Sequence, residues 1–154
     1  VWADRAPGLP IETPEEALIL ASIVEKETGV PDERETVAAV FVNRLREGMR
    51  LQTDPTVIYG ITNGQSGPLG RGIRASELRA ETAYNTYVID GLPPTPIAAP
   101  GPEALQAAVN PVETDYLFFV ADGTGGHAFA ETLAEHNDNV ARWRRLEAEQ
   151  GGSD

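Results

Sequence analysis

Residues 13–29 read Thr-Pro-Glu-Glu-Ala-Leu-Ile-Leu-Ala-Ser-Ile-Val-Glu-Lys-Glu-Thr-Gly. Signals at both ends predict a helix over 14–28. Thr13 can cap it, Pro14 suits the first helical position, Glu16 stands three residues after the cap, and Gly29 can stop it. At about 100° per residue, Leu20, Ile23, Val24 and Glu27 share one stripe. Glu25 points nearly the opposite way. Glu27 is therefore a carboxylate on an apolar face near the end of a helix. An acid held among apolar side chains resists ionising, and one that keeps its proton near neutral pH can protonate a leaving group. The competing reading is a solvated residue at a helix end.

Working outward, residues 1–13 read as an irregular lead-in and 14–149 as one folded unit, with 150–154 as a flexible tail. A second helix is expected over 32–47, capped by Asp32, with Val37, Val40, Phe41 and Leu45 as its stripe and Gly48 as its end. The short turn between the two helices predicts antiparallel neighbours. Asp54-Pro55 starts a short third helix through Tyr59. Residues 60–74 hold five glycines and read as a loop. Residues 83–90 fit helix or strand. Residues 91–101 fit neither, because their prolines lack the backbone donor. A helix follows from Pro102 to about Asn110. Residues 115–122 are the best strand, Gly123 to Gly126 form a turn, and 127–130 return as a second strand. Val140, Trp143 and Leu146 mark a last helix over 133–149. The fold class expected is α+β, mainly helical with a small β hairpin.

Composition narrows the chemistry. The chain has 154 residues, 41% of them hydrophobic, enough for one domain with a real core. Twelve basic residues against 24 acidic ones give a net charge of −12, which argues against nucleic acid and against a polybasic membrane contact. With no cysteine there are no disulfides, thiol nucleophiles or cysteine-bound zinc. His127 and His136 lack metal-ligand spacing, and no cofactor motif is present. Gly123-Thr-Gly-Gly126 has no following Lys-Ser or Lys-Thr and reads as a hairpin turn rather than a phosphate loop. No stretch is long enough to span a membrane. The chain begins at Val1 without a methionine and reads as a fragment of something longer, from which an anchor or export signal could have been removed.

Carboxylate chemistry remains. A glycosidase usually pairs its acid with a second carboxylate. Asp54 is one candidate, with a plain N-cap before Pro55 as its other reading. Glu25 is another, on the wrong side of its helix and better suited to a supporting charge. Tyr84, Asn85, Tyr87 and Gln52 could orient a sugar by hydrogen bonds. Taken singly, Tyr84 reads as a core aromatic and Asn85 as a turn residue.

Glu27-Thr28, Leu51-Gln52 and Ala83-Tyr84-Asn85 come in the order of three motifs of the lysozyme-like lytic transglycosylases. Thr28 replaces the usual serine, Leu51 the usual methionine, and Thr86-Tyr87 stands where Ala-Gly is common. These departures, with Val42 to Leu45, Gly48 to Gly60, Thr82 to Tyr87, Gly91 to Pro94, Ala107 to Pro111, Phe119 to Gly123 and Gly125 to Phe129, resemble the MltG (YceG-like) endolytic murein transglycosylases over about residues 14–146.

The resemblance implies a lysozyme-like catalytic domain that cleaves peptidoglycan glycan strands between N-acetylmuramic acid and N-acetylglucosamine. The muramoyl 6-hydroxyl would attack its own anomeric carbon and leave an anhydromuramoyl end, without a second carboxylate. It assigns the acid/base to Glu27 and strand contacts to Gln52, Tyr84 and Asn85, with Thr28, Asp54, Glu25 and Tyr87 around them. It also implies peptidoglycan synthases as partners and a place at the outer face of the inner membrane, held by an N-terminal anchor outside these residues. A muramidase using Asp54, a non-catalytic glycan-binding module, and a structural domain in which Glu27 pairs with Arg44 are the alternatives.

Overall fold

The computed structural model describes residues 2–28, 30–62 and 71–151. Among these residues, after a 3-10 turn at Trp2–Asp4, come six α-helices and one hairpin: α1 Pro14–Glu27, α2 Arg34–Glu47, α3 Asp54–Thr62, α4 Ala75–Leu78, α5 Pro102–Val109, β1 Phe118–Ala121, β2 His127–Ala130 and α6 Leu133–Gly151. The α+β architecture matches the expectation from sequence.

α1 starts as the sequence predicts. The Thr13 hydroxyl accepts from the Glu16 amide at 3.1 Å, with Pro14 at the first helical position. It ends one residue early: Thr28 is extended, its amide donates to Val24, and its hydroxyl accepts from the Val30 amide at 3.0 Å. Gly29, the expected stop, lies outside the described residues. Asp32 does not cap α2. It sits in a 3-10 turn, Pro31–Glu33, and α2 begins at Arg34 with no side-chain cap. Gly48 closes α2 in the left-handed region at φ 71°, as a glycine can.

α1 packs on α2 and α5. Leu20, Ile23 and Val24 of α1 meet Val37, Ala38, Phe41 and Val42 of α2 and Ala104, Ala107 and Ala108 of α5 in one cluster. The small residues of α5 let the helices approach closely. Ile11, from the expected lead-in, is buried in the same core, and the Ala6 amide donates to Val109.

The proline-rich stretch 91–101 is irregular, as expected, and two α1 side chains hold it. Ser22 Oγ accepts from the Ile97 amide at 3.0 Å, and Glu25 Oε1 accepts from the Gly101 amide at 2.6 Å, at the N-terminus of α5. α2 holds the approach to the hairpin. Asn43 Nδ2 donates to the Thr114 and Tyr116 carbonyls, and Arg44 Nε to Leu117. β1 and β2 pair antiparallel, Phe119 opposite Phe129 and Ala121 opposite His127. Gly123 and Gly125 take φ near 90° in the connecting turn, so the glycines serve turn geometry. α6 lies on the hairpin through a half-buried stripe of His136, Val140, Trp143 and Leu146, and runs two residues past its expected end.

Two further expectations are corrected. Residues 83–90 are neither helix nor strand but consecutive turns, closed by the Asn85 N–H to the Thr82 carbonyl and by the Val88 and Ile89 N–H to the Asn85 carbonyl, and fastened to the end of α4 by the Asn85 side chain. Its amide nitrogen donates to the Glu77, Leu78 and Ala80 carbonyls and its oxygen accepts from the Tyr87 amide. The loop expected over 60–74 also begins later. α3 extends to Thr62, whose hydroxyl donates back to Ile58; residues 63–70 lie outside the described residues. Among the described residues no helix is long and apolar enough to cross a membrane.

A buried threonine triad joins the turns at 83–90 to the start of α3. Thr86 Oγ1 accepts from the Thr53 amide at 2.9 Å and lies 2.9 Å from Thr56 Oγ1, which lies 2.8 Å from the Thr53 carbonyl. All three residues are at most 2% exposed. Thr86→Val keeps the shape but leaves a buried amide without its acceptor. A loss of about 1–3 kcal/mol is expected, read as a lower urea midpoint at unchanged m-value.

Candidate active site

The triad sets the positions of two neighbours, Asp54 beside Thr53 and Tyr87 beside Thr86. Both open onto a cavity of about 470 Å3 that also contains Glu27 and Gln52. Tyr87 Oη donates to Asp54 Oδ1 at 2.6 Å. Asp54 therefore spends its carboxylate on a tyrosine rather than on capping α3. Gln52 holds φ at 51°, the one positive φ of a non-glycine among the described residues, while its amide donates to the Thr86 carbonyl. A left-handed glutamine costs of order 1 kcal/mol and persists where surrounding contacts enforce it.

Glu27 continues the buried stripe of Leu20, Ile23 and Val24 as expected, and is half-buried in the cavity wall. Burial first, and the Asp54 carboxylate second, raise its pKa from 4.5 to about 7. The Thr53 side chain opposes them more weakly; its hydroxyl is buried, with no hydrogen bond of good geometry. Glu27 makes no ion pair with Arg44. Arg44 Nε donates to Leu117 and Nη1 to Arg50 and Leu51, all backbone carbonyls, and its guanidinium lies over the Phe118 ring at 5.1 Å. Burial lowers the Arg44 pKa. Burial and the hydrogen bond to Asp54 push the Tyr87 hydroxyl well above the usual tyrosine range, so it remains a donor.

The other residues picked out in the sequence lie elsewhere. Thr28 is buried as the C-cap of α1 and Glu25 faces Gly101. The Asn85 amide is engaged by backbone. Tyr84 donates to or accepts from Thr95 Oγ1 at 2.8 Å, with its ring 4.7 Å from that of Tyr59. Arg46 donates to the Gly8 carbonyl, and Arg50 to Asp90 and the Tyr87 carbonyl.

The cavity also contains residues that the sequence reading had not placed there: Phe119, His127 and His136. His127 Nδ1 lies 2.8 Å from Glu33 Oε1. His136 stacks on Phe118 at 4.9 Å, its Nδ1 is buried without a partner, and burial with the nearby Arg44 charge lowers its pKa. The Gly-Gly-His-Ala-Phe run was the available signal, but sequence spacing alone does not bring residue 127 to residue 27. Among the described residues no cluster of three His, Asp or Glu is arranged to hold a metal.

The arrangement can deliver a proton from Glu27 to a group in the cavity, with the Asp54 carboxyl held beside it by Tyr87. A model of the YceG-like family matches residues 2–142, and the chain belongs to that family. It is 42% identical over 120 residues to the endolytic murein transglycosylase of Bacillus subtilis (strain 168), covering 78% of this chain and 32% of that one. It is 36% identical over 135 residues to the endolytic murein transglycosylase of Streptococcus pneumoniae serotype 2 (strain D39), covering 84% and 24%. A crystal structure of a yceG-like protein from Listeria monocytogenes superposes with a TM-score of 0.71 at 42% identity, covering 80% of this chain and 39% of that one. The chain thus spans a quarter to a third of the curated relatives it matches.

Two outcomes test the electrostatics. Asp54→Asn should lower the Glu27 pKa and Thr53→Val should raise it, each read by carboxyl 13C titration. The raised pKa also links to stability. The folded state holds a proton that the unfolded chain releases near 4.5, so this contribution is complete below pH 4.5 and is lost as pH rises through 7. The stability of wild type relative to Glu27→Gln should therefore fall across that window, by at most about 3 kcal/mol, in paired urea titrations.

Proposed function

We propose that this chain is a catalytic domain that cleaves peptidoglycan glycan strands between N-acetylmuramic acid and N-acetylglucosamine by intramolecular transglycosylation. The observation that carries the reading is Glu27, a carboxylic acid in the wall of the central cavity with a pKa of about 7, in a chain of the YceG-like family. The names of the curated relatives give the substrate class.

Protonated Glu27 gives its proton to the glycosidic oxygen as the bond from that oxygen to the muramoyl anomeric carbon breaks. Positive charge grows on the anomeric carbon and ring oxygen. The Asp54 carboxylate, oriented by Tyr87, favours that charge electrostatically. The muramoyl 6-hydroxyl then bonds to the anomeric carbon and returns its proton to the Glu27 carboxylate. One bond is exchanged for another, no water is consumed, and the acid is regenerated. A pKa near 7 suits both steps, since the group must give and take a proton at similar cost. Gln52 contacts the strand from its enforced backbone position. Thr28, Glu25, Asn85 and Tyr84 act indirectly, by fixing the end of α1, the N-terminus of α5 and the turns beside the cavity. In the whole protein the domain works at the outer face of the inner membrane, on an N-terminal anchor and alongside peptidoglycan synthases.

Asp54 shares the cavity with Glu27, which makes a two-carboxylate hydrolase the second reading. Its Oδ1 is taken by Tyr87 at 2.6 Å, which disfavours a role in activating water.

Mass spectrometry of purified glycan strands separates the two. Anhydromuramoyl ends are expected from wild type, with a fall of at least about a hundredfold in Glu27→Gln, the usual weight of a general acid. Reducing ends from wild type would establish hydrolysis, and equal products from wild type and variant would remove Glu27 from the chemistry.

A further inference from the structure

The wall contributed by the hairpin contains a side-chain arrangement that the transglycosylation chemistry above does not use. Glu33, at the end of the 3-10 turn before α2, reaches the start of β2 with both carboxylate oxygens. Oε2 accepts from the His127 amide at 3.0 Å and Oε1 lies 2.8 Å from His127 Nδ1. The pair is well covered, with 15% of the His127 side chain and 20% of the Glu33 side chain exposed. Gly126 makes room for it. A Cβ there would stand 2.7 Å from Glu33 Oε2, closer than a side chain can come, so the carboxylate occupies the space that the glycine leaves. Phe119 holds the imidazole from a second side, edge to face at 5.1 Å.

A carboxylate only accepts hydrogen bonds. Nδ1 of His127 therefore carries the hydrogen, and in the neutral ring Nε2 is left as an acceptor. Nε2 has no hydrogen-bond partner among the described residues and is not sealed from solvent. His127 lines the same cavity as Glu27. A ring whose tautomer and orientation are set from behind, with a free acceptor on a cavity wall, is arranged to receive a donor from a bound molecule. The cost of holding it there is already met by Glu33, Gly126 and Phe119.

We propose that His127, fixed by Glu33, is a substrate-positioning residue whose Nε2 accepts a hydrogen bond from a hydroxyl or acetamido N–H of the glycan in the cavity. The proposal rests on the glycan reading above, and its test does not depend on turnover. The probe is a peptide-free tetrasaccharide of alternating N-acetylglucosamine and N-acetylmuramic acid, added to the Glu27→Gln chain, which cannot consume it. Imidazole 15N spectra taken at a pH where the ring is neutral should show the hydrogen on Nδ1 and Nε2 as the acceptor in the free chain, with the Nε2 signal moving on saturation.

His127→Asn, in the same background, retains an N–H toward Glu33 and removes the acceptor in the cavity. Its affinity should be about three- to tenfold weaker, the weight of one neutral hydrogen bond, at unchanged Tm. In the chain with Glu27 intact, the same substitution should raise KM more than it lowers kcat. Equal tetrasaccharide affinity in the asparagine variant, or an Nε2 signal that ignores saturating tetrasaccharide, would overturn the proposal, whereas anhydromuramoyl ends from wild type would still support the reaction. If His127 responds and no anhydromuramoyl ends form, the glycan contact stands and the reaction is the part that fails.

Discussion

A buried guanidinium holds the cavity walls together. Arg44 is 8% exposed, and burying a cation costs several kcal/mol unless its donors are satisfied. Among the described residues it meets no carboxylate. Its donors go to Leu117 on one side and to Arg50 and Leu51 on the other. α2 is thereby tied at one residue to the approach of the hairpin and to the segment that leads into Gln52, Thr53 and Asp54. Lysine could not substitute, because an ammonium lacks the planar fork that reaches two separate chain segments. Carbonyls as partners have a second consequence. They accept from Nε and Nη1 and leave Glu27 without an ion pair to Arg44.

The cavity then treats two acids differently. Glu27 extends an apolar stripe and is desolvated; Asp54 is exposed at the start of α3 and accepts a short hydrogen bond from Tyr87. Its charge is one of the causes that keep Glu27 protonated. Two carboxyl groups with opposed environments are the usual way for one site to hold an acid and an anion together at neutral pH. The threonine triad beneath them matters for the same reason. It joins residues 33 positions apart in the chain, so that the Tyr87 donor and the Asp54 acceptor stay in register.

Much of this was legible before any coordinates. The cap at Thr13, Pro14 and the stripe through Glu27 are local signals, and local hydrogen bonding decides them. The prolines of 91–101 exclude regular structure whatever surrounds them, and the continuous apolar run 116–121 with the glycines at 123–126 specifies a hairpin. Where the reading went astray, a distant partner had intervened. Asp32 has the chemistry of a cap, yet the chain tightens into a 3-10 turn that delivers Glu33 to His127. Residues 83–90 have the composition of a regular element, yet they fold as turns that the Asn85 side chain fastens to the backbone carbonyls of 77, 78 and 80.

By itself the sequence determined most of the helices, the hairpin, the family resemblance and the place of Glu27, since helical periodicity puts that carboxylate on the face that turns inward. Tertiary structure decided the pKa of that acid, the partner of Asp54, the carbonyl cage of Arg44 and the arrival of His127 and His136 at the cavity. Each of these depends on groups brought close across long stretches of chain, and desolvation and hydrogen bonding act over a few ångströms in space, a separation that order along the chain does not encode.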